Sequence, residues 1–138
     1  MDIITYTEKG KVVVTVMHVE GNIDASSSQA FQDKADKLID GGAQFILVDL
    51  SFVPFVSSSG LRVLQHIYDR LRKQYPDLDV SDEDVKKGIQ EGTYKSPLLK
   101  LLNPSNETSN TFQMSGFDMF IDIFKDKTTA IASFKQID

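Results

Sequence analysis

FILVDLSFVPFVSSSGLRVL, from Phe45 to Leu64, is the stretch whose reading decides the fold. Phe45 to Leu50 is a near-continuous apolar run, the pattern of a central strand covered on both faces. Phe52 to Val56 is a short apolar connection containing Pro54. A helix is predicted from Ser58–Gly60 to about Gln74, with Leu61, Leu64, Tyr68, Leu71 and Tyr75 as its buried stripe and Pro76 as its stop. A buried strand that feeds a helix in this way implies an α/β arrangement.

Upstream of this unit, residues 3–7 and 11–19 read as two strands joined by a turn at Glu8-Lys9-Gly10. The second, KVVVTVMHVE, is dense in β-branched residues. Gly21-Asn22 breaks the alternation, and from Ser26 to Asp40 the period becomes helical, with Phe31, Ala35 and Leu38 on one face and Gly41-Gly42 as the stop. Downstream, residues 77–96 turn polar, acidic and glycine-containing. They read as a surface insertion, partly helical and mobile, in which Ser81 and Asp84 are spaced as a capping box. Leu98 to Leu102 resumes the core as a strand. A helix follows from Ser105 to a stop at Gly116, then a short strand at Phe120 to Phe124 and a last helix capped by Asp126 or Thr128. The order is β, β, α, β, α, insertion, β, α, β, α. It predicts one α/β domain over residues 1–138, a mixed β-sheet with helices packed against it.

The chain has 138 residues, 41% hydrophobic and 25% charged, as expected of a folded domain with a single core. No apolar run approaches the roughly 20 residues that span a bilayer, and the N-terminus lacks a basic-then-apolar leader, so no membrane partner and a cytoplasmic location are expected. The absence of cysteine rules out disulfides, thiolate metal sites and a cysteine nucleophile. Twenty acidic residues against 15 basic give a net charge of -5, which repels phosphate backbones and argues against direct nucleic-acid binding. Arg70, Arg72 and Lys73 read as the solvated face of a helix.

Chemistry finds few supports. Neither a phosphate-binding G-x-x-x-x-G-K-[ST] loop nor a G-x-G-x-x-G turn is present. His18 and His66, the two histidines, have no partner at metal-ligand spacing, so neither metal nor cofactor is expected. Ser57-Ser58-Ser59-Gly60 sits at a strand-to-helix turn, yet it lacks the first glycine of G-x-S-x-G, and no histidine follows His66. No catalytic residue is therefore assigned. The same turn has two other uses. The serines cap the second helix, or one of them is phosphorylated where unpaired N–H groups and the macrodipole stabilise an anion.

A resemblance favours the second use. GNIDA at 21–25, FILVDLSFVPFVSSSGLRVL, LLKLLNP and TFQMSGFDMFIDIF occur in the order seen in the STAS domain of anti-sigma factor antagonists, over most of residues 11–134. That family has a G-x-[LI]-D turn before helix one, a strand ending in D-L-S, and a D-S-S-G-L motif opening helix two. The resemblance implies a STAS-like domain that is not an enzyme. It also implies phosphorylation at the serine before the motif glycine, Ser59, with Ser58 as second choice. The implied partners are a serine-kinase anti-sigma factor or related switch kinase, bound when the domain is unphosphorylated, and a protein serine phosphatase. Asp24, Asp49, Ser57, Ser58, Gly60 and Leu61 are the implied contact residues; Asp24 and Asp49 also suit turn capping and strand-end solvation. Ser57 stands where the family has aspartate, and 77–96 is longer than the usual link. The alternative is a scaffold or ligand-sensing STAS module of a transport or other signalling complex.

Overall fold

In the computed structural model, residues 1–136 are described. Five strands form one sheet in sequence order: β1 (Asp2–Lys9), β2 (Val13–Glu20), β3 (Ile46–Phe52), β4 (Leu99–Leu102) and β5 (Asp122–Phe124). β1 runs antiparallel to β2, and β2 through β5 are mutually parallel. The sheet is thus mixed. Each parallel step carries a helical crossover: α1 (Ser28–Asp40) before β3, α2 (Ser58–Gln74) and α3 (Asp82–Glu91) before β4, and α4 (Asn106–Ser115) before β5, with α5 (Lys127–Ser133) last.

Residues directly opposite in register share a face. Met17, Val48, Leu101 and Ile123 therefore line one face, and Val16, Leu47, Lys100 and Asp122 line the other. The first face lies under α1 and α2, which are tied together where Arg70 of α2 meets Asp36 at 3.1 Å and Asp40 at 2.9 Å on α1. The second lies under α5, whose Lys127 reaches Glu8 at 3.0 Å across the β1 edge. Coverage of both faces is why Phe45 to Leu50 are all buried. The apolar run reads as it does because neither side of β3 meets water.

α2 buries Val63, Leu64, Ile67, Tyr68 and Leu71, whereas Leu61 and Tyr75 are only half-buried. The stripe expected from spacing is therefore rotated toward Val63 and Ile67. The supposed solvated basic face also differs: Arg70 pairs with α1, and Arg72 pairs with Asp79 at 3.2 Å and Asp82 at 2.8 Å. Lys73 alone of the three is exposed.

Residues 77–96 hold α3, capped by Ser81, whose hydroxyl accepts the Asp84 N–H at 3.2 Å; this is the serine half of the capping box that the spacing suggested. Three ties bind this segment to the core. Val85 is buried, Arg72 holds Asp79, and the Tyr94 hydroxyl lies between Tyr68 at 3.0 Å and Asp79 at 2.9 Å. Among the described residues no helix is long and apolar enough to cross a membrane.

Candidate functional site

The turn between β3 and α2 is built by backbone bonds to a second loop. The N–H groups of Gly21 and Ile23 donate to the carbonyls of Phe52 and Phe55, both at 3.0 Å, and the Ser57 N–H donates to the Ile23 carbonyl at 2.9 Å. Ile23 and Val56 form an isolated parallel bridge. The result places Ile23-Asp24 directly beside the first turn of α2. Gly60 makes that approach possible: a Cβ there would stand 2.7 Å from Val56 Cγ1, 2.9 Å from Ile23 Cγ2 and 3.0 Å from the Ile23 carbonyl oxygen. No other residue fits without displacing the loop.

Ser57 is the N-cap of α2, extended in backbone (φ -81°, ψ 177°), with its hydroxyl accepting the Gly60 N–H at 3.4 Å. Serine and aspartate are both strong N-cap residues. Ser57 therefore does the capping that an aspartate would do there, without placing a fixed negative charge at the helix end. Ser58 is exposed and Ser59 half-buried. Among the described residues neither hydroxyl has a protein partner, and the Ser58 and Ser59 N–H groups lie in the unpaired first turn. Leu61 is half-buried beside them, and Phe52 and Phe55 are 63% and 36% exposed on the loop that leads in. The turn thus offers two free hydroxyls, an anion-accepting helix end and two exposed aromatic rings.

Asp24 shapes the neighbouring loop. Its Oδ1 accepts from the Ser26 N–H at 3.0 Å and the Ser26 hydroxyl at 2.7 Å, and these bonds hold its carboxyl below the usual aspartate range. Ser27 locks the loop further, donating to the Asn22 carbonyl at 2.7 Å while accepting the Asp24 N–H at 3.0 Å. Asp49 lies elsewhere. It is 7% exposed, on the sheet face shared with α5, and its Oδ2 meets His18 Nδ1 at 3.0 Å. Its Oδ1 accepts the Ser51 hydroxyl at 2.6 Å and the Ser51 N–H at 3.0 Å, where the β2–β3 register shifts. Burial raises the Asp49 carboxyl, but the bonds from Ser51 and His18 outweigh it and the net shift is downward.

His18 was not marked by sequence reasoning. It stands opposite Asp49 in register, and its Nε2 meets Glu20 Oε1 at 3.1 Å, so each ring nitrogen faces a carboxylate. The Asp49 bond raises its pKa; partial burial opposes this and Glu20 adds to it. The ring lies edge-on to Phe52, with centroids 5.4 Å apart. A D-L-S strand end hinted at Asp49, but the pairing to His18 depends on a register that no local pattern reveals. The structure therefore brings Asp24, Ser57, Ser58, Ser59 and Leu61 to one surface, with Gly60 buried beneath it. It sets Asp49 behind that surface, joined to it through Ser51 and Phe52. Among the described residues no cluster of side chains could hold a metal.

The STAS domain family model matches residues 4–78, more than half of the chain. Solved structures share the architecture. An anti-sigma factor antagonist from Mycobacterium paratuberculosis matches with a TM-score of 0.67 at 19% identity, covering 96% of this chain and 94% of that one. SpoIIAA, an anti-sigma factor antagonist, in its unphosphorylated form matches with a TM-score of 0.65 at 20% identity, covering 94% and 93%. The Bacillus cell fate determinant SpoIIAA in its phosphorylated form matches with a TM-score of 0.61 at 19% identity, covering 97% and 100%. At these identities the likeness is one of fold. No curated protein matches.

Proposed function

The chain belongs to the STAS domain family, and on that footing we propose that it is a phosphorylation-switched protein-binding module of the anti-sigma factor antagonist kind. Residues 1–138 act as one cytoplasmic STAS domain with no catalytic role of its own. Unphosphorylated, it binds a serine-kinase anti-sigma factor or a related switch kinase. Phosphorylation of Ser59 releases that partner, and a protein serine phosphatase restores binding.

One observation carries this reading. Ser57 caps α2, so the Ser58 and Ser59 hydroxyls stay free at the end of a 17-residue helix whose dipole welcomes an anion. A phosphate on Ser59 would add close to two negative charges without dismantling the cap. The contact surface consists of Asp24, Ser57, Ser58 and Leu61, held together by buried Gly60 and widened by exposed Phe52 and Phe55. Asp49 acts from beneath, fixing Ser51 and the strand end that carries Phe52. A surface matched to neutral serine loses its partner when the charge arrives, because a desolvated unpaired phosphate is costly at an interface.

The test is a pull-down from native lysate with wild-type and Ser59→Asp baits. Capture of a serine kinase by wild type, lost with S59D, is the expected result. Capture of a transport component by both baits alike would overturn the switch in favour of a scaffold role.

A further inference from the structure

At the end of the sheet opposite the serine turn, a cavity of about 180 Å³ opens between the start of β4, the edge of β5 and the residues after α5. Its floor is Lys100, only 6% exposed. The ammonium donates to the Ser133 carbonyl at 3.2 Å and to the Ser133 hydroxyl at 3.0 Å, which itself donates to the Ala130 carbonyl at 2.6 Å. The ring of Phe134 lies 4.9 Å away and that of Phe124 5.7 Å. Asp122 stands at 3.9 Å, beyond hydrogen-bond reach. Lys100 is therefore a buried charge with incomplete compensation, an arrangement that costs free energy. Burial lowers its pKa accordingly.

Two further lysines, Lys95 and Lys135, line the same cavity; both are exposed, and the Lys95 ammonium also donates to the Asp118 carbonyl. Among the described lining residues, three ammonium groups against the Asp122 carboxylate leave a local charge of +2 in a chain whose net charge is -5. Ser96, 1% exposed, also lines it. Its hydroxyl oxygen accepts the N–H groups of Leu98 and Leu99, both at 3.3 Å, which leaves the hydroxyl hydrogen for an oxygen in the cavity.

We propose that this cavity binds a phosphate dianion, either free or at the end of a small metabolite. A charge of minus two matches the local excess, where a monocarboxylate would leave half of it. Lysines recognise such a group as point charges, without the planar fork that selects carboxylates. The Ser96 hydroxyl adds a neutral donor. Asp122, 3.9 Å from the Lys100 ammonium, is the lining group that opposes an anion, and the charge of the three lysines exceeds it.

Calorimetric titration of inorganic phosphate into the full chain, at fixed ionic strength and with acetate in parallel, tests this. A saturable single site for phosphate is expected, with acetate at least about tenfold weaker. The Lys95→Gln/Lys135→Gln variant changes exposed side chains only, and its affinity should fall at least about tenfold. Lys100→Met should abolish binding; the double variant keeps the test decisive if that variant does not fold. Glycerol 3-phosphate binding as tightly as phosphate would support a phosphorylated metabolite, and its exclusion would support free phosphate. No saturable phosphate binding, equal affinity for acetate, or unchanged affinity in the double variant would each overturn the proposal.

Discussion

Replacing Gly60 with alanine puts a methyl group where Val56 Cγ1 is 2.7 Å away, Ile23 Cγ2 2.9 Å and the Ile23 carbonyl oxygen 3.0 Å. The first two belong to fully buried β-branched side chains, which have little rotamer freedom with which to retreat. The third is backbone and is held at 2.9 Å by the Ser57 N–H. Relief requires the Gly21–Asp24 loop to move away from α2. Overpacking of this kind costs about 1–3 kcal/mol. Alanine returns up to about 1 kcal/mol of helix propensity, so a net loss of about 1–2 kcal/mol is expected. For a chain of this size that corresponds to a fall in Tm of roughly 4–8 °C. Urea unfolding and thermal melting measure it directly. The same displacement separates Asp24 from the serine turn, so partner affinity should drop even at temperatures where the variant is fully folded. A G60A protein with unchanged or higher Tm would refute the claim that Gly60 is there to bring the two loops together.

Ser57→Ala should lose about 0.5 kcal/mol, the low end of the N-cap range because its bond to the Gly60 N–H is long at 3.4 Å, while Ser57→Asp should match or exceed wild-type stability in urea melts. His18→Gln tests the paired carboxylates. The folded-state His18 pKa is raised above the usual 6.5, so its contribution is fully present below that value and lost as pH rises through the folded one. The stability gap between wild type and H18Q should accordingly be widest below pH 6.5 and narrow as the pH rises above it; a gap independent of pH would contradict this. Tyr94→Phe leaves buried Asp79 and Tyr68 without their shared hydroxyl and should cost about 1–3 kcal/mol. Amide exchange should then accelerate in α3 well before it does in β3.

The elements of the fold were readable because their signals are local. FILVDL needs no knowledge of its neighbours to be recognised as a doubly covered strand, and Ser81, Ser105 and Asp126 each cap a helix through a backbone N–H three residues on. The bounds shifted where tertiary packing intervened. Phe120 and Ile121 are apolar enough to extend β5, yet β5 begins only at Asp122, after a 3₁₀ turn at Phe117–Met119. The site was half readable. Ser57 to Leu61 is a contiguous motif, whereas the His18–Asp49 pair depends on the β2–β3 register, and the meeting of Gly60 with Ile23 joins residues far apart in sequence. Lys100 shows the same limit. In the sequence it is a charged residue within a leucine-rich strand, and only the pairing of β4 with β5 and the return of α5 reveal what surrounds it.

Ser59 as the switch is the central claim, and phosphosite mapping tests it most directly. The chain and its Ser59→Ala variant would be isolated from native cells and analysed by intact-mass and tandem mass spectrometry. A single phosphate on Ser59, absent from S59A, is the expected result. Phosphate on Ser58 or elsewhere, or no phosphate under any growth condition, would contradict it.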